Sequence, residues 1–291
     1  MNHNFGGDWT EQKLSILWKY LPAYTTALKF QSQWEKIYVD AFAGTGFRTQ
    51  EADDPEEKRL IEELSLKEDA AYFQGSASIA LEIEPAFDRY VFVEQKASHV
   101  QELEKLRLHY PQRADAITIV QGDANRFLQS WSTTVHRSTH RAVVFLDPYG
   151  MQVDWTTLEA LAVTRLVDLW LLFPLGQAVN RVLTRREPPP PHWSAALTRT
   201  LGTEDWQQKF YEPQKALTLF GEEETEVKIA NFENIAQFFI ERLGTIFSAV
   251  AENPLYLYSR NRVPLYLLCF AAANPKGALL ARKIAQDILK T

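Results

Sequence analysis

Four carboxylate residues each follow a run of apolar residues, and their spacing is typical of a ligand-binding site. They are Asp40, Glu94, Asp123 and Asp147. A carboxylate can pair with an ammonium group, accept hydrogen bonds from both hydroxyls of a ribose, or accept one from an exocyclic amine. Any one of them could instead cap the helix that follows it. Capping alone does not explain four acids in strand order, because open α/β sheets bind ligands beyond the carboxyl ends of their strands.

The apolar runs before these acids predict parallel strands, since they are rich in β-branched and aromatic residues and are short. A fifth run, 166–175, is stopped by Pro174, and the runs 255–258 and 264–273 predict a terminal hairpin. We therefore predict an α/β, Rossmann-like fold with a mostly parallel, seven-stranded central sheet, a C-terminal antiparallel hairpin and helical insertions. An amphipathic pattern before the first strand predicts one or two helices, with a kink or break at Pro22.

A two-glycine turn follows the first acid. Gly44 and Gly46 allow the backbone to turn sharply and to approach a ligand without a Cβ in the way. An ordinary turn between a strand and a helix would also use glycines here. A dinucleotide fingerprint would need a third glycine three residues further on, but Phe47-Arg48-Thr49 follows. The turn therefore disfavours a nicotinamide cofactor, and an NAD(P)-dependent oxidoreductase is kept as a minor alternative.

The acids fit a cofactor with an ammonium group at one end, a ribose and an adenine, and no phosphate. S-adenosylmethionine has this shape. On this interpretation Asp40 pairs with the ammonium, Glu94 holds the ribose hydroxyls and Asp123 accepts from the adenine amino group. The remaining predicted cofactor contacts lie in the same turns: Phe42, Gly44, Gly46 and Ala124.

Five strands with helical connections, followed by an antiparallel pair, resemble the strand plan of class I methyltransferases. Five segments together resemble the three-Cys-motif partner (TcmP) family over about residues 14–288: 38–46, 75–76, 90–94, 145–151 and 274–277. The resemblance implies a methyltransferase-like fold and a partner protein that carries a three-cysteine motif. It implies little about the substrate.

The segment Asp147-Pro148-Tyr149-Gly150 is similar to the Asp/Asn-Pro-Pro-aromatic loop of nucleobase amino-methyltransferases. That resemblance implies that the Asp147 side chain and the Pro148 carbonyl orient a target amine, while Tyr149 stacks on an extruded base. The second proline is absent, and the aromatic residue lies one position early. Asp147 and Pro148 could instead only end the fourth strand.

Composition divides the chain into a core and two insertions. We predict an N-terminal helical segment, 1–36, and a methyltransferase-like core, 37–175 and 226–291. An acidic insertion, 47–74, explains why Glu94 lies further from the glycine turn than a simple strand-helix-strand unit allows. The segment 176–225 contains four consecutive prolines and is predicted to form short helices rather than a second sheet, with a role in recognising a substrate or partner.

The net charge of −6 argues against a protein that coats nucleic acid indiscriminately, although Arg181, Arg185 and Arg186 could contact the phosphates of a DNA or RNA substrate. The single cysteine, Cys269, excludes an internal disulfide and a cysteine-cluster metal site, so we expect no metal and a cytoplasmic location. No apolar run is long enough to predict a membrane span.

Two functions from different classes remain open on the sequence. The first is an S-adenosylmethionine-dependent methyltransferase that acts on an amino group, of a nucleobase in DNA or RNA in the leading version. The second is a non-catalytic or conditionally active cofactor-binding module for a three-Cys-motif protein, with the proline-rich insertion as the docking surface.

Overall fold

A central sheet of eight strands organises the chain in the computed structural model, which describes residues 8–45, 75–185, 187–218 and 221–290. The strand order is β3-β2-β1-β4-β5-β10-β8, and β9 also pairs with β10. The first five strands are parallel. The strands of this sheet are β1 Glu35–Asp40, β2 Arg89–Glu94, β3 Ile117–Gln121, β4 His140–Leu146, β5 Val167–Phe173, β8 Ala249–Val250, β9 Leu255–Tyr258 and β10 Pro264–Ala272.

Helices cover both faces of the sheet. They are α1 Asp8–Ala27, α2 Ser76–Glu82, α3 Ala97–Glu104, α4 Leu106–His109, α5 Ala124–Thr134, α6 Trp155–Val163, α7 Asn180–Val182, α8 Pro191–Leu201, α9 Trp206–Phe210, α10 Phe232–Ile246 and α11 Ala278–Ile288. A 3-10 helix, Pro111–Ala116, and a π-helical turn, Leu175–Val179, complete the described helical segments.

Alternate residues of each central strand enter two different cores. On β1, Ile37 and Val39 belong to the core beneath α5, α6 and α10, whereas Tyr38 belongs to the core beneath α1, α2 and α11. Strands buried on both faces are continuously apolar, which is why these runs were readable in the sequence. Helix α1 continues through Pro22 as one helix, and it buries Ile16, Leu17, Tyr20, Leu21 and Tyr24 against the sheet.

The antiparallel end of the sheet confirms the predicted hairpin and adds one strand. Both β8 and β9 pair with β10, β8 at Ala271 and Ala272 and β9 at residues 264–268. They follow one another along the same edge of β10, so together they occupy one strand position. Eight strands therefore fill the seven positions that were predicted. The interruption between β8 and β9 consists of four residues, 251–254. Only two residues of β10 lie opposite them, so the four cannot all continue the strand.

The second insertion contains a feature that the sequence interpretation missed. Helices α8 and α9 were expected, but β6 Tyr211–Thr218 and β7 Gly221–Lys228 form a separate two-stranded antiparallel sheet. The prediction of helices without a second sheet is therefore wrong. The alternation of apolar and polar residues that identifies a half-buried strand is weak here, because charged and polar residues fill most of both strands. The domain boundaries themselves stay predictions, and the acidic insertion 47–74 lies wholly outside the described residues.

None of the helices in the described part of the chain is long and apolar enough to cross a membrane.

Candidate functional site

The predicted acids lie at the carboxyl edge of the parallel sheet. Asp40 is the last residue of β1 and Glu94 the last of β2, while Asp147 directly follows β4. The loop after β1 is held against both neighbours, because Ala41 N–H donates to the Phe145 carbonyl (3.2 Å) and Ala43 N–H to the Val93 carbonyl (3.1 Å). This edge is where open α/β sheets bind ligands.

Asp40 is a fully buried carboxyl group. It accepts hydrogen bonds from the Ser76 hydroxyl, at the start of α2, and from the Phe42 N–H (3.2 Å). Burial raises the pKa of Asp40 to about 7; the nearby Asp147 carboxylate raises it too, whereas Ser76, Phe42 N–H and Lys13 lower it. A carboxyl group with these surroundings is stabilised as a carboxylate when a cation reaches it.

Gly44 and Glu94 meet across the edge. The Gly44 N–H donates to Oε2 of Glu94 (3.0 Å), and the Lys96 N–H donates to Oε1 (2.8 Å). The Glu94 side chain is 12% exposed and lies 3.6 Å from His99 Nδ1. A carboxylate has about four acceptor positions, so Glu94 is held in place and still has room for two ribose hydroxyls.

Gly44 adopts a left-handed backbone conformation with φ of +59°, and a Cβ there would meet nothing within 4 Å. We expect Gly44→Ala to lower the free energy of unfolding by about 1 kcal/mol, because the backbone conformation is unfavourable for alanine. The methyl group would enter the open space beside Glu94, so the affinity for the cofactor predicted from the sequence should fall at least tenfold. Chemical denaturation and calorimetric titration measure the two effects.

Gly244→Ala is the matched control, since Gly244 lies on α10 and a Cβ there also meets nothing. Alanine is the better helix former, so this variant should gain stability and keep the same affinity. Equal loss of affinity in both variants would contradict a cofactor space beside Gly44.

The other predicted cofactor residues occupy the neighbouring turns. Asp123 caps α5, accepting from the Arg126 N–H through Oδ1 (2.9 Å), which is the alternative considered for it from the sequence. Ala124, the next residue, is buried. Phe42 lies in the loop after β1 and is half-buried against the core beneath α5, α6 and α10. Gly46 lies outside the described residues. Because the cap uses only Oδ1 of Asp123, it neither supports nor contradicts the predicted hydrogen bond from the adenine amino group.

Asp147 forms an ion pair with Lys13 of α1. The Lys13 side chain is 8% exposed and that of Asp147 is 23% exposed, so both lie mostly away from solvent. The Lys13 ammonium also lies over the Trp9 ring, 5.1 Å from its centroid. The carboxylate that we predicted to accept from a substrate amine therefore accepts from a primary amine of the same chain.

Residues 147–150 form the Asp147 loop. Apart from Asp147 itself, Pro148 and Gly150 face the interior, whereas Tyr149 is exposed. Pro148 lines a small cavity of about 10 Å³ together with Gly150, Val153, Leu158, Leu171, Phe173, Pro174, Thr200 and Phe239. That volume holds at most one water molecule. Tyr149 is 66% exposed, and its N–H donates to Oε1 of Gln152 (3.1 Å). The Tyr149 side chain thus faces away from the apolar core.

The predicted substrate arginines lie after β5. Arg181 belongs to α7, Arg185 follows it, and both are exposed. The Arg185 carbonyl accepts from the Lys228 N–H (3.1 Å), which ties this segment to β7. Arg186 lies outside the described residues. Helix α7, which carries Arg181, begins seven residues after the carboxyl end of β5.

Two site residues were missed from the sequence, Lys13 and Ser76. Lys13 sits four residues after Trp9 and three before Ile16, inside the stripe of α1 that faces the sheet. A single cation inside the apolar stripe of a helix was the available signal, since lysine is rarely buried without a partner. Ser76 entered the sequence interpretation only within the segment 75–76, which contributes to the family resemblance.

Among residues 8–45, 75–185, 187–218 and 221–290, no three His, Cys, Asp or Glu side chains are grouped so that they could hold a metal ion.

Comparison with known proteins finds no family model and no curated protein that matches the chain. Solved structures do match. Protein LPL1258 from Legionella pneumophila has 15% identity and a TM-score of 0.41, covering 82% of this chain and 93% of its own. The glycopeptide N-methyltransferase MtfA, complexed with S-adenosyl-L-homocysteine, has 11% identity and a TM-score of 0.33, covering 93% and 92%. A methyltransferase from Geobacter sulfurreducens has 13% identity and a TM-score of 0.31, covering 73% and 78%.

These similarities are too low to assign any residue of the site. The resemblance of the sequence to the three-Cys-motif partner family stays a prediction.

Proposed function

We propose that this protein is an S-adenosylmethionine-dependent methyltransferase that acts on an amino group of a nucleobase in DNA or RNA. The observation that carries the proposal is that Asp147 binds a nitrogen donor, the Lys13 ammonium, at the sheet edge where Asp40 and Glu94 end their strands. A carboxylate at this edge can hold the neutral amine of a substrate in the same way and orient its lone pair for methyl transfer.

The residues present fit the cofactor. Asp40 is a buried carboxyl group whose raised pKa reflects the lack of sufficient cationic compensation, and an ammonium group would supply it. Glu94 is held by two backbone N–H groups in a position to accept from ribose hydroxyls. When bound, S-adenosylmethionine supplies an electrophilic methyl group.

The chain's own contribution is to orient the acceptor. Asp147 accepts a hydrogen bond from the amine and receives the proton that the nitrogen loses, while the Pro148 carbonyl accepts the second hydrogen. The exposed Tyr149 ring offers a surface on which an unpaired base can stack. Arg181, Arg185 and Arg186 contribute contacts to the phosphates of the substrate in this proposal.

Calorimetric titration with S-adenosylmethionine and S-adenosylhomocysteine tests the proposal. We expect micromolar binding that is lost in an Asp40→Ala, Glu94→Ala double variant, and transfer of a labelled methyl group to single-stranded DNA or RNA. Absence of binding by the wild-type protein would refute the proposal. Tight binding of a nicotinamide nucleotide instead would favour the oxidoreductase alternative.

The affinity for S-adenosylmethionine should depend on pH through Asp40. The carboxyl group must lose its proton to pair with the ammonium, and its pKa is about 7. Below about pH 7 the dissociation constant should therefore rise about tenfold per pH unit, and above it the affinity should be nearly constant. Titrations between about pH 5.5 and 8.5 measure this. Asp40→Asn removes the group, so a pH dependence that persists in that variant would contradict the assignment.

The Lys13–Asp147 pair also favours a conditionally active version of the enzyme. A substrate amine must displace the Lys13 ammonium before it can reach Asp147. In the isolated chain, Lys13 therefore occupies the position that the substrate amine needs. A three-Cys-motif partner that moves α1 would free this position.

We expect Lys13→Met to increase methyl transfer by the isolated chain several-fold while leaving S-adenosylmethionine affinity within about threefold. Steady-state kinetics with and without the partner measure this effect. A partner that stimulates the wild-type and Lys13→Met proteins equally would contradict the blocking role.

A further inference from the structure

A second polar pocket lies next to the site, where α1 meets the turn between β9 and β10. We call it the turn pocket; it is lined by Gln12, Tyr258, Ser259, Arg260 and Arg262, with a volume of about 370 Å³. Pockets for small ligands range from about 300 to 1,000 Å³. The turn pocket therefore has room for one nucleotide-sized group.

The turn pocket opens on the same edge of the sheet as the acids. Strand β10 runs antiparallel to β5, and Leu267 is paired with Phe173, the last residue of β5. The turn that precedes β10 therefore projects beyond the carboxyl end of β5. Gln12 of the pocket is adjacent in sequence to Lys13, whose ammonium pairs with Asp147. The pocket and the acceptor position are thus neighbours along α1.

Two cations line the pocket without compensation by acids. Arg260 and Arg262 are exposed, and neither guanidinium forms an ion pair with any carboxylate in the described part of the chain. The whole chain carries a net charge of −6. A pair of cations without acidic partners makes this part of an acidic protein attractive to a polyanion.

An aromatic surface accompanies the two cations. Tyr258 is 45% exposed and is stacked on Tyr256, with ring centroids 6.2 Å apart and an interplanar angle of 26°. Arginines beside an exposed aromatic ring are the combination that binds single-stranded nucleic acid, since the cations contact phosphates and the ring stacks on a base.

The backbone that carries these side chains is fixed. Ser259 N–H donates to the Val263 carbonyl and Arg262 N–H to the Ser259 carbonyl, both at 2.9 Å, and Val263 N–H donates to the Ser259 hydroxyl (3.2 Å). Arg262 has a φ of +56°, in the left-handed region. A turn held in this way presents its two arginines without having to order itself on binding.

We propose that the turn pocket binds a phosphate and an adjacent unstacked base of a single-stranded polynucleotide, whose target base is delivered to Asp147. The inference deepens the proposed function, on which it rests, by committing the substrate to the single-stranded form and by adding Tyr258, Arg260 and Arg262 to its contacts. Binding at this pocket needs no cofactor, so it can be measured independently of methyl transfer.

The test is fluorescence anisotropy with labelled single-stranded RNA and DNA of about 12 nucleotides, without cofactor. In an Arg260→Ala, Arg262→Gly double variant we expect at least a tenfold loss of affinity. The slope of log K against log salt should become shallower by about 0.7, because the contact to one phosphate is removed. Glycine is chosen at position 262 because it tolerates the left-handed backbone.

The matched control is an Arg137→Gln, Arg165→Gln double variant, which removes the same charge at the opposite edge of the sheet. Both arginines are exposed and precede β4 and β5, respectively. This variant should bind within about twofold of the wild type. Tyr258→Ala should lose about tenfold in affinity with an unchanged salt slope, because it removes stacking and no charge.

Three results would overturn the inference: equal losses in the two arginine double variants, equal affinity for a mononucleotide and the oligonucleotide, or tighter binding of duplex than of single strands. Calorimetry with S-adenosylmethionine on the same preparations separates this inference from the proposed function. Cofactor binding without oligonucleotide binding refutes the turn pocket alone, whereas oligonucleotide binding without cofactor binding refutes the methyltransferase.

Discussion

The Asp40→Asn protein is expected to be more stable than the wild type at about pH 8 and to bind S-adenosylmethionine at least tenfold more weakly. Below pH 3.8 the wild-type carboxyl group is protonated in both the folded and the unfolded chain. Between 3.8 and about 7 only the unfolded chain has lost the proton, so the free energy of unfolding falls as the pH rises. Above about pH 7 the deficit is constant at about 4 kcal/mol.

Asparagine does not titrate, so the variant avoids this deficit. Its side-chain oxygen can still accept from the Phe42 N–H, and its amide NH2 can donate to the Ser76 hydroxyl oxygen. Its advantage over the wild type should therefore grow from near zero at about pH 4 to a few kcal/mol at about pH 8. Denaturant titrations at several pH values measure it. A variant that is less stable than the wild type at pH 8 would show that Asp40 is compensated by a cation in the absence of cofactor.

Asp168→Asn is the matched control for the Asp40 experiment. Asp168 is buried on β5 and accepts from the Tyr20 hydroxyl (2.7 Å), and burial raises its pKa to about 7 as well. It pairs in register with Val143, four residues before Asp147, so it lies toward the other end of the strands. We expect a comparable gain in stability at about pH 8 and unchanged cofactor affinity. Loss of cofactor binding in both variants would place the effect in the fold rather than at Asp40.

The second large effect is expected from Asp147→Ala. Methyl transfer should fall at least a hundredfold, because the group that orients the amine and accepts its proton is lost. Cofactor affinity should stay within a few-fold of the wild type. Single-turnover kinetics with a labelled methyl donor and calorimetry measure the two quantities, and methylation at the normal rate by a cofactor-bound variant would refute the role of Asp147.

The same substitution leaves the Lys13 ammonium without its carboxylate in a mostly buried place. We expect the free energy of unfolding to fall by about 2 kcal/mol, which is below the cost of breaking a fully buried ion pair because Asp147 is partly exposed. A Lys13→Met, Asp147→Ala double variant should recover most of this stability without recovering activity. The double variant therefore distinguishes the chemistry of Asp147 from its contribution to folding.

The sequence identified the parts of this fold that depend on local pattern. The five parallel strands are continuously apolar because both faces are buried, and each predicted acid does come at or just after a strand end. Asp40 and Glu94 could be placed at one edge because parallel strands share that edge. Their partners across the edge, such as the Gly44 N–H on Glu94, follow from the turn that the glycine permits.

What could not be predicted depends on contacts between distant segments. Lys13 and Asp147 are 134 residues apart, and no local pattern relates them. The hairpin of β6 and β7 carries too few apolar residues to show a strand period. The division of one strand position between β8 and β9 depends on the pairing of both strands with β10, a contact between separate segments. In each case the tertiary environment decides the conformation.

Helix α1 has a consequence for how the protein is made. The partners of this helix are synthesised much later than the helix itself: Lys13 needs Asp147, 134 residues on, and Tyr20 needs Asp168, 148 residues on. Tyr20 also packs on Phe270 near the end of the chain. Contacts between such distant residues form slowly, because the intervening chain must be ordered first. The apolar face of α1 is therefore exposed to solvent for most of synthesis. The ion pair between Lys13 and Asp147 forms only after the sheet has assembled.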